Sequence, residues 1–445
     1  MSSPTQVQSS TTAARRTRSR SAVLGTLGNV MEWYDFTVYG FLAAAIGANF
    51  FPGHDSVAAL LSTFAVFAVG FVARPVGALV LGPISDRRGR KFVMLLSMLL
   101  MAAGSLVIGL SPSYAAIGAL APALILIGRL MQGFSAGGEF GSAAVYLTEW
   151  ASPGRRGFFG SFHQVGTYGG LLLGLFVVAT LTSAVGPDEV KTWAWRVPFL
   201  LGALLAIIVL VLRRGIGETP EFQELTNARM VEPDTGSAVD SPTDRPISSA
   251  RGFFLAVGVV ALWSVTSFVT INYMPTFATA FTTISATAAL WATAIGCVVA
   301  VALIPVAGNL SDKVGRRPLI IGAALTYIIA SLPLFWLVVS VPSFGSLVLV
   351  QVLFAIPTSA IAGAGTATIS ELFGTHNRGS LVSIASAISV AVFGGSGGYA
   401  ATLLIKSTGF KVSLTFYIIA VAIITLVAAL NLPRTDGLSR RGQPG

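Results

Sequence analysis

Apolar residues in this chain fall in long blocks broken by short polar stretches, and they do not alternate with polar ones. Twelve blocks are long enough to span a bilayer. They are Ser21 to Ala48, Val57 to Leu81, Phe92 to Leu110, Ala115 to Leu147, Phe158 to Ala184 and Trp195 to Leu212, then Gly252 to Phe281, Ala286 to Ala307, Leu319 to Val341, Phe344 to Ile369, Leu381 to Leu404 and Ser413 to Leu432. Each supplies the ~20 apolar residues that a ~30 Å hydrocarbon layer demands. The fourth block is overlong and is expected to tilt. The pattern predicts an all-α membrane protein of twelve transmembrane helices.

A polar stretch rich in Pro, Asp, Glu, Ser and Thr separates six blocks from six, and the chain repeats across it. Gly82-Pro-Ile-Ser-Asp86-Arg-Arg-Gly89-Arg90-Lys91 recurs as Gly308-Asn-Leu-Ser-Asp312-Lys-Val-Gly315-Arg316-Arg317, and Glu149 with Arg156 recurs as Glu371 with Arg378. Two copies imply two pseudo-symmetric six-helix bundles, residues 21–213 and 251–432. A cytoplasmic linker, 214–250, joins them, and polar cytoplasmic tails cover 1–20 and 433–445. The first tail, Ser- and Thr-rich with no apolar core before a cleavage site, reads as disordered and not as a signal peptide. A parallel six-span repeat places a substrate path between the bundles near the midplane, worked by rocking one against the other.

Composition changes this picture little, since 54% hydrophobic and 10% charged residues already describe a polytopic membrane protein. Charge placement adds the orientation. With the amino terminus in the cytoplasm, 22 of the 28 Lys and Arg fall in inside segments, three in outside loops (Lys191, Lys406, Lys411) and three in or at the edge of spans (Arg74, Arg129, Arg196). The basic excess therefore sets topology, which removes nucleic acid as a partner and leaves both termini cytoplasmic in the cell's inner (plasma) membrane. The lone Cys297 and three scattered histidines leave no disulfide framework and no metal cluster. No nucleophile with its base, metal cage or phosphate loop is present, so neither an enzyme nor a cofactor is expected. The expected partners are the lipid bilayer, a small molecule and protons, and the chain is expected to work as a monomer.

Candidate chemistry centres on Gly28 to Gly40. Glu32 and Asp35 lie within an apolar run, three residues apart and so on one helix face, flanked by Trp33, Tyr34 and Tyr39. A carboxylate at bilayer depth costs roughly 3 kcal/mol and marks a functional site. Arg129, at about the depth of Asp35, has a fork that can hold Asp35, Glu32 or a substrate carboxylate. A permanent ion pair is the alternative. Glu139 is either a second proton site or a packing bond, and His163 either lies at the interface or takes part. The three aromatic rings can cup an ammonium by cation–π attraction. Asn272, Tyr273 and Gln351 in the second half are candidates to complete the binding site. All deep ionisable groups fall in the first half, so any proton must be carried there. Gly82, Asp86, Arg90, Glu149 and Arg156, with Gly308, Asp312, Arg316, Glu371 and Arg378, are expected to form a cytoplasmic gate in which each loop pairs with helix termini of the opposite half.

These motifs together resemble the major facilitator superfamily and, within it, the metabolite:proton symporter branch. Gly28 to Gly40 is similar to that branch's first-helix signature, Arg74-Pro75-Val-Gly77 with the Asp86 loop to its second, and Gln132-Gly-Phe-Ser-Ala-Gly-Gly138-Glu139 to its fourth. Trp195-Arg196-Val-Pro198-Phe199 and Glu218-Thr-Pro-Glu-Phe222 match its pattern around span six. The resemblance implies the major facilitator fold and secondary active import, with protons, of a small organic solute. Within the branch these solutes are proline and betaines, citrate, α-ketoglutarate, shikimate and aromatic acids. The first span and Asn272-Tyr-Met-Pro-Thr-Phe277 are most similar to the proline/betaine members, so a zwitterionic osmolyte is expected. An organic acid and outward transport are the alternatives. With no heptad-bearing tail before Gly445, the osmosensing that goes with such a tail in those members is not expected here.

Overall fold

Helices make up nearly all of the computed structural model, which describes residues 4–51, 56–152, 154–231, 249–374 and 377–433. Six long helices form the first half: α1 (Pro4–Phe41), α2 (Ser56–Arg88), α3 (Arg90–Leu110), α4 (Leu120–Glu149), α5 (Arg156–Val185) and α6 (Arg196–Arg214). The second half repeats them as α7 (Ala250–Phe281), α8 (Ala286–Val314), α9 (Arg316–Ser340), α10 (Phe344–Glu371), α11 (Arg378–Thr408) and α12 (Leu414–Leu430). By length and apolar composition α2 to α11 each suffice to cross a bilayer, and α12 is a shorter apolar helix.

Each half has its own core. The first gathers Tyr34, Tyr39, Phe50, Trp195 and Phe199. The second gathers Val260, Phe277, Tyr327, Phe335 and Phe354, and takes in Phe36, Phe71, Ala136 and Phe140 from α1, α2 and α4, which marks where the halves meet. Small residues decide how closely helices approach. A Cβ on Gly133 would collide with the Gly70 carbonyl, and one on Gly137 with the Arg74 carbonyl, so α2 and α4 cross backbone to backbone. Gly89 and Gly315 turn the chain between α2 and α3 and between α8 and α9 at φ of +98° and +94°, a conformation that glycine alone adopts without strain.

Several expectations need correction. Backbone helix begins at Pro4, where disorder was expected, because no Gly or Pro interrupts Thr5 to Leu24 and the polar stretch continues the helix below it. The overlong fourth block is not one rod: Gly118, at φ +58°, divides a short helix, Tyr114–Ile117, from α4. The linker holds a helix, Pro220–Val231, and its remainder at 232–248 lies outside the described residues, as do His376 and the tail at 434–445. Within α7 the backbone widens into a π-helical segment, Ser267–Tyr273, just before Pro275, and α11 does the same at Val390–Gly394. A proline that cannot donate to the preceding turn, and interruptions of this kind, recur at functional sites.

Candidate functional site

At one end of the bundle the two repeated loops clasp the opposite half. Asp86, at the end of α2, accepts hydrogen bonds from Gly379 N (3.0 Å), Ser380 N (2.8 Å) and Ser380 Oγ, capping α11. Asp312, at the end of α8, accepts from Gly157 N and Phe158 N, both at 2.8 Å, capping α5. A carboxylate on a helix N-terminus satisfies free N–H groups and meets the positive end of the dipole. Gly82 and Gly308 make room: a Cβ on either would press on Ser380 or on Ser161 across the boundary. Arg90 meets Glu149 at 3.3 Å and Arg316 meets Glu371 at 3.0 Å, again matched.

The clasp is not fully symmetric. Arg378 reaches Glu149 of the other half at 3.1 Å, but its counterpart Arg156 does not reach Glu371. Glu221 of the linker helix takes both arginines instead, Arg156 at 2.5 Å and Arg378 at 2.6 Å. Beside it Glu218 accepts from Arg90 N and Lys91 N at the start of α3. Burial, the largest influence, lifts the Glu218 carboxyl above the ordinary glutamate value, although the N–H groups of Thr219 and Lys91 and the charge of Arg90 work the other way.

Inside the first half the charged groups form three separate units. Arg213 Nη1 holds Glu139 at 2.7 Å and also donates to the Met94 carbonyl, while Nε and Nη2 donate to the carbonyls of Leu24 and Gly25. That pair fastens α6 to α1, α3 and α4. Glu139 therefore makes the packing bond, with its Oε2 left without a partner. The second unit is a chain: Ser105 Oγ (2.6 Å) and Gln132 Nε2 (3.2 Å) donate to Asp35 Oδ2, and Arg129 Nη1 donates to Gln132 Oε1 (2.9 Å). Asp35 Oδ1 and Arg129 Nε and Nη2 have no partner, and Phe36, Tyr39 and Phe67 lie under the guanidinium at 4.4, 4.5 and 5.0 Å. In the third unit Glu32 Oε1 lies 2.9 Å from Arg74 Nη2.

At the boundary between halves a cleft is lined by Tyr168 of α5, Thr270 of α7, Gly296 of α8, and Gln351, Phe354 and Thr358 of α10. Tyr168 Oη lies 3.2 Å from Ser267 Oγ on the π segment, and Gln351 donates to Thr293 at 3.0 Å.

A fold of two clasped six-helix halves, in which, among the described residues, only the first seals ion pairs and carboxylates inside its own helix bundle away from the clasp, accords with the sequence comparison. The family described as sugar (and other) transporter matches residues 21–443. The chain belongs to that family. This transporter is similar to the citrate-proton symporter of Salmonella typhi (34% identity, 95% of this chain and 96% of that one), the proline/betaine transporter of Salmonella typhimurium (32%; 95% and 85%) and the alpha-ketoglutarate permease of Escherichia coli (36%; 95% and 96%). Its fold matches that of the major facilitator superfamily proton:xylose symporter XylE with a TM-score of 0.79 at 18% identity, over 95% and 97% of the two chains. It is a multi-pass membrane transporter with the major facilitator fold, and not an enzyme.

Not all of the transporter's expected site residues come together. Arg129 holds neither Asp35 nor Glu32 directly, because Gln132 stands between it and the first and Arg74 takes the second. Tyr34 and Tyr39 are both fully buried inside the first half, Tyr34 donating to the Pro198 carbonyl and Tyr39 stacked on Phe67. Trp33 does face the other half, 5.8 Å from Phe268. Asn272 turns to the Ser267 carbonyl and Tyr273 to Thr402, contacts within the second half. His163 is buried, with Gln164 Nε2 3.0 Å and Asn29 Nδ2 3.5 Å from its Nδ1. The sequence reading missed Ser105 and Gln132 as partners of Asp35 and treated Arg213 as a topological charge. The signal for Arg213 was its place at the last turn of an apolar helix, where a cation can fold inward as readily as outward.

Proposed function

We propose that this transporter is a proton-coupled symporter that brings a small carboxylate-bearing solute into the cell by alternating access, and that the solute is a zwitterion such as proline or glycine betaine. The observation that carries this reading is the Asp35, Gln132 and Arg129 chain. One carboxylate oxygen and two guanidinium nitrogens lack partners in the buried interior. A carboxylate held by neutral donors, with a bare oxygen, can gain and lose a proton while its neighbours stay in place, and proton relays in membranes are built from such groups. Closure of both loop clasps fits one end state, with residues 21–213 and 251–432 rocking to open it. We place that clasp and both termini on the cytoplasmic side of the inner membrane, as the distribution of Lys and Arg indicates.

The solutes in the relatives' names, citrate, α-ketoglutarate, proline, betaine, ectoine and pipecolic acid, all carry a carboxylate. Among the described residues the second half has no charged side chain at the depth of Asp35, which suits a zwitterion better than a polyanion. A di- or tricarboxylate is the second reading, favoured by the 36% identity to the alpha-ketoglutarate permease. For a neutral zwitterion moving with one proton, each 100 mV contributes roughly 2.3 kcal/mol, or about fifty-fold accumulation. The test is uptake of labelled proline, glycine betaine, citrate and α-ketoglutarate into proteoliposomes under imposed pH gradient and membrane potential. Uphill uptake of one of the first two supports the reading in full, and uptake of one of the last two moves it to the organic acids. Transport of all four that ignores both gradients, or no transport at all, ends it.

A further inference from the structure

Of the three ionic units buried in the first half away from the clasp, one is badly made. Arg213 uses all three nitrogens in aligned hydrogen bonds, and Gln132 links Asp35 to Arg129. Glu32 and Arg74 touch at 2.9 Å without hydrogen-bond alignment, so neither oxygen of Glu32 accepts a bond and Nε and Nη2 of Arg74 donate none. Both side chains are buried, at 0% and 3% exposure. A buried pair needs further hydrogen bonds to offset desolvation, and this one has none.

Its location differs as well. Arg74 lies under Phe36, Trp33 and Phe71, at 4.3, 5.6 and 5.0 Å from the ring centres. Trp33 and Phe71 in turn meet Phe268 of α7 at 5.8 and 5.5 Å, so one layer of rings separates this pair from the second half. Trp33 Nε1 and, one turn before Phe268, Ser264 Oγ are likewise buried without partners. A buried cation with free N–H groups, an aromatic wall and two more bare polar atoms describe a receptor for a carboxylate whose remaining body is apolar or cationic.

We infer that Arg74 receives the solute's carboxylate and that Glu32 occupies that place when the solute is absent; this rests on the symport reading above. As the solute carboxylate takes over the guanidinium, Glu32 is left an unpaired buried anion and takes one proton from the aqueous opening. The site then holds one cation, the solute carboxylate and one neutral acid; with a zwitterion the solute's ammonium leaves one added positive charge, the one that moves with the membrane potential, and with a monocarboxylate the net charge is what it was before. On release the proton leaves Glu32, which returns to Arg74. The Phe36 ring lies over both Arg74 and Arg129, so the exchange is felt by the Asp35 chain. The charged or titratable groups that neighbouring helices bring to this part of α1 are Arg74 on α2, Arg129 and Glu139 on α4, His163 on α5 and Arg213 on α6.

The experiment is binding of proline, glycine betaine, citrate and α-ketoglutarate to the purified full chain by thermal shift and titration calorimetry from pH 5.5 to 8, with prolinamide as the probe that lacks a carboxylate. A solute that stabilises the wild type should bind more tightly as pH falls, and prolinamide should not bind. Glu32→Gln removes the competitor, so binding of that solute at neutral pH should tighten roughly tenfold and lose its pH dependence. Arg74→Gln should weaken it by roughly a hundredfold, with Arg74→Lys in between. Weaker or still pH-dependent binding in Glu32→Gln, or unchanged binding in a folded Arg74→Gln, overturns the assignment and leaves symport standing. Binding of none of the four solutes to the wild type overturns both.

Discussion

The two halves share a lock and differ in their interiors. Asp86 and Asp312 cap helices of the opposite half in the same way, and Gly89 and Gly315 make the same left-handed turn. Deeper in, the likeness stops. Arg129 and Gln351 stand 222 residues apart, the offset that also relates Glu149 to Glu371 and Arg156 to Arg378. One is a guanidinium in a chain to Asp35. The other is a neutral amide bonded to Thr293, close to the Tyr327 and Thr358 hydroxyl pair. The repeat persists where both halves must do the same mechanical work, and it breaks where only one has to hold charge.

The largest expected effect falls on that asymmetry. Asp35→Asn should abolish uphill uptake, the about fifty-fold accumulation per 100 mV, while solute exchange at equilibrium continues, as measured by counterflow in proteoliposomes. Equal loss of both would move Asp35 from coupling to binding or folding. Next comes the Arg213 and Glu139 pair: Arg213→Ala strands Glu139 in a dry interior and should cost about 3–5 kcal/mol, read as a large fall in the melting temperature of the detergent-solubilised protein. A small change would mean that Glu139 simply takes up a proton, and would restore it as a proton site.

The lock offers a test of likeness. Asp86→Asn and Asp312→Asn each remove a charged cap and should each cost about 1 kcal/mol, widening the distance between spin labels at Arg155 and Lys313 by similar amounts. Markedly unequal effects would show that the linker's Glu221, which reaches Arg156 and Arg378, supports one side more than the other. The smallest effect is expected at Gln351→Leu, where loss of one neutral hydrogen bond in the cleft should weaken uptake by about tenfold or less and leave its pH dependence unchanged. A changed pH profile there would place proton handling in the second half too.

Much of this was open to reading along the chain. Long apolar blocks need the bilayer, so helix number and placement follow from hydropathy, and the repeated loops pointed to a clasp between the halves. Glu32, Asp35 and Arg129 stood out because charge is costly inside an apolar run. Their partners did not. Arg213 sits at a helix end, where periodicity cannot tell a cation folded inward from one facing water, Arg74 lies mid-helix with nothing in its own span to say which acid it meets, and Ser105 and Gln132 are ordinary polar residues until packing aims them at Asp35.

The sequence by itself determined the membrane architecture, the division into two repeated halves and the confinement of deep charge to the first, since each depends on local composition and on the cost of polarity in lipid. Only the tertiary structure decided which acid meets which base, because that depends on how far five helices rotate about their own axes as they pack. Through that packing Glu139 became a fastening, Asp35 was joined to Arg129 through an amide, and Glu32 was left with a loosely held partner at the seam.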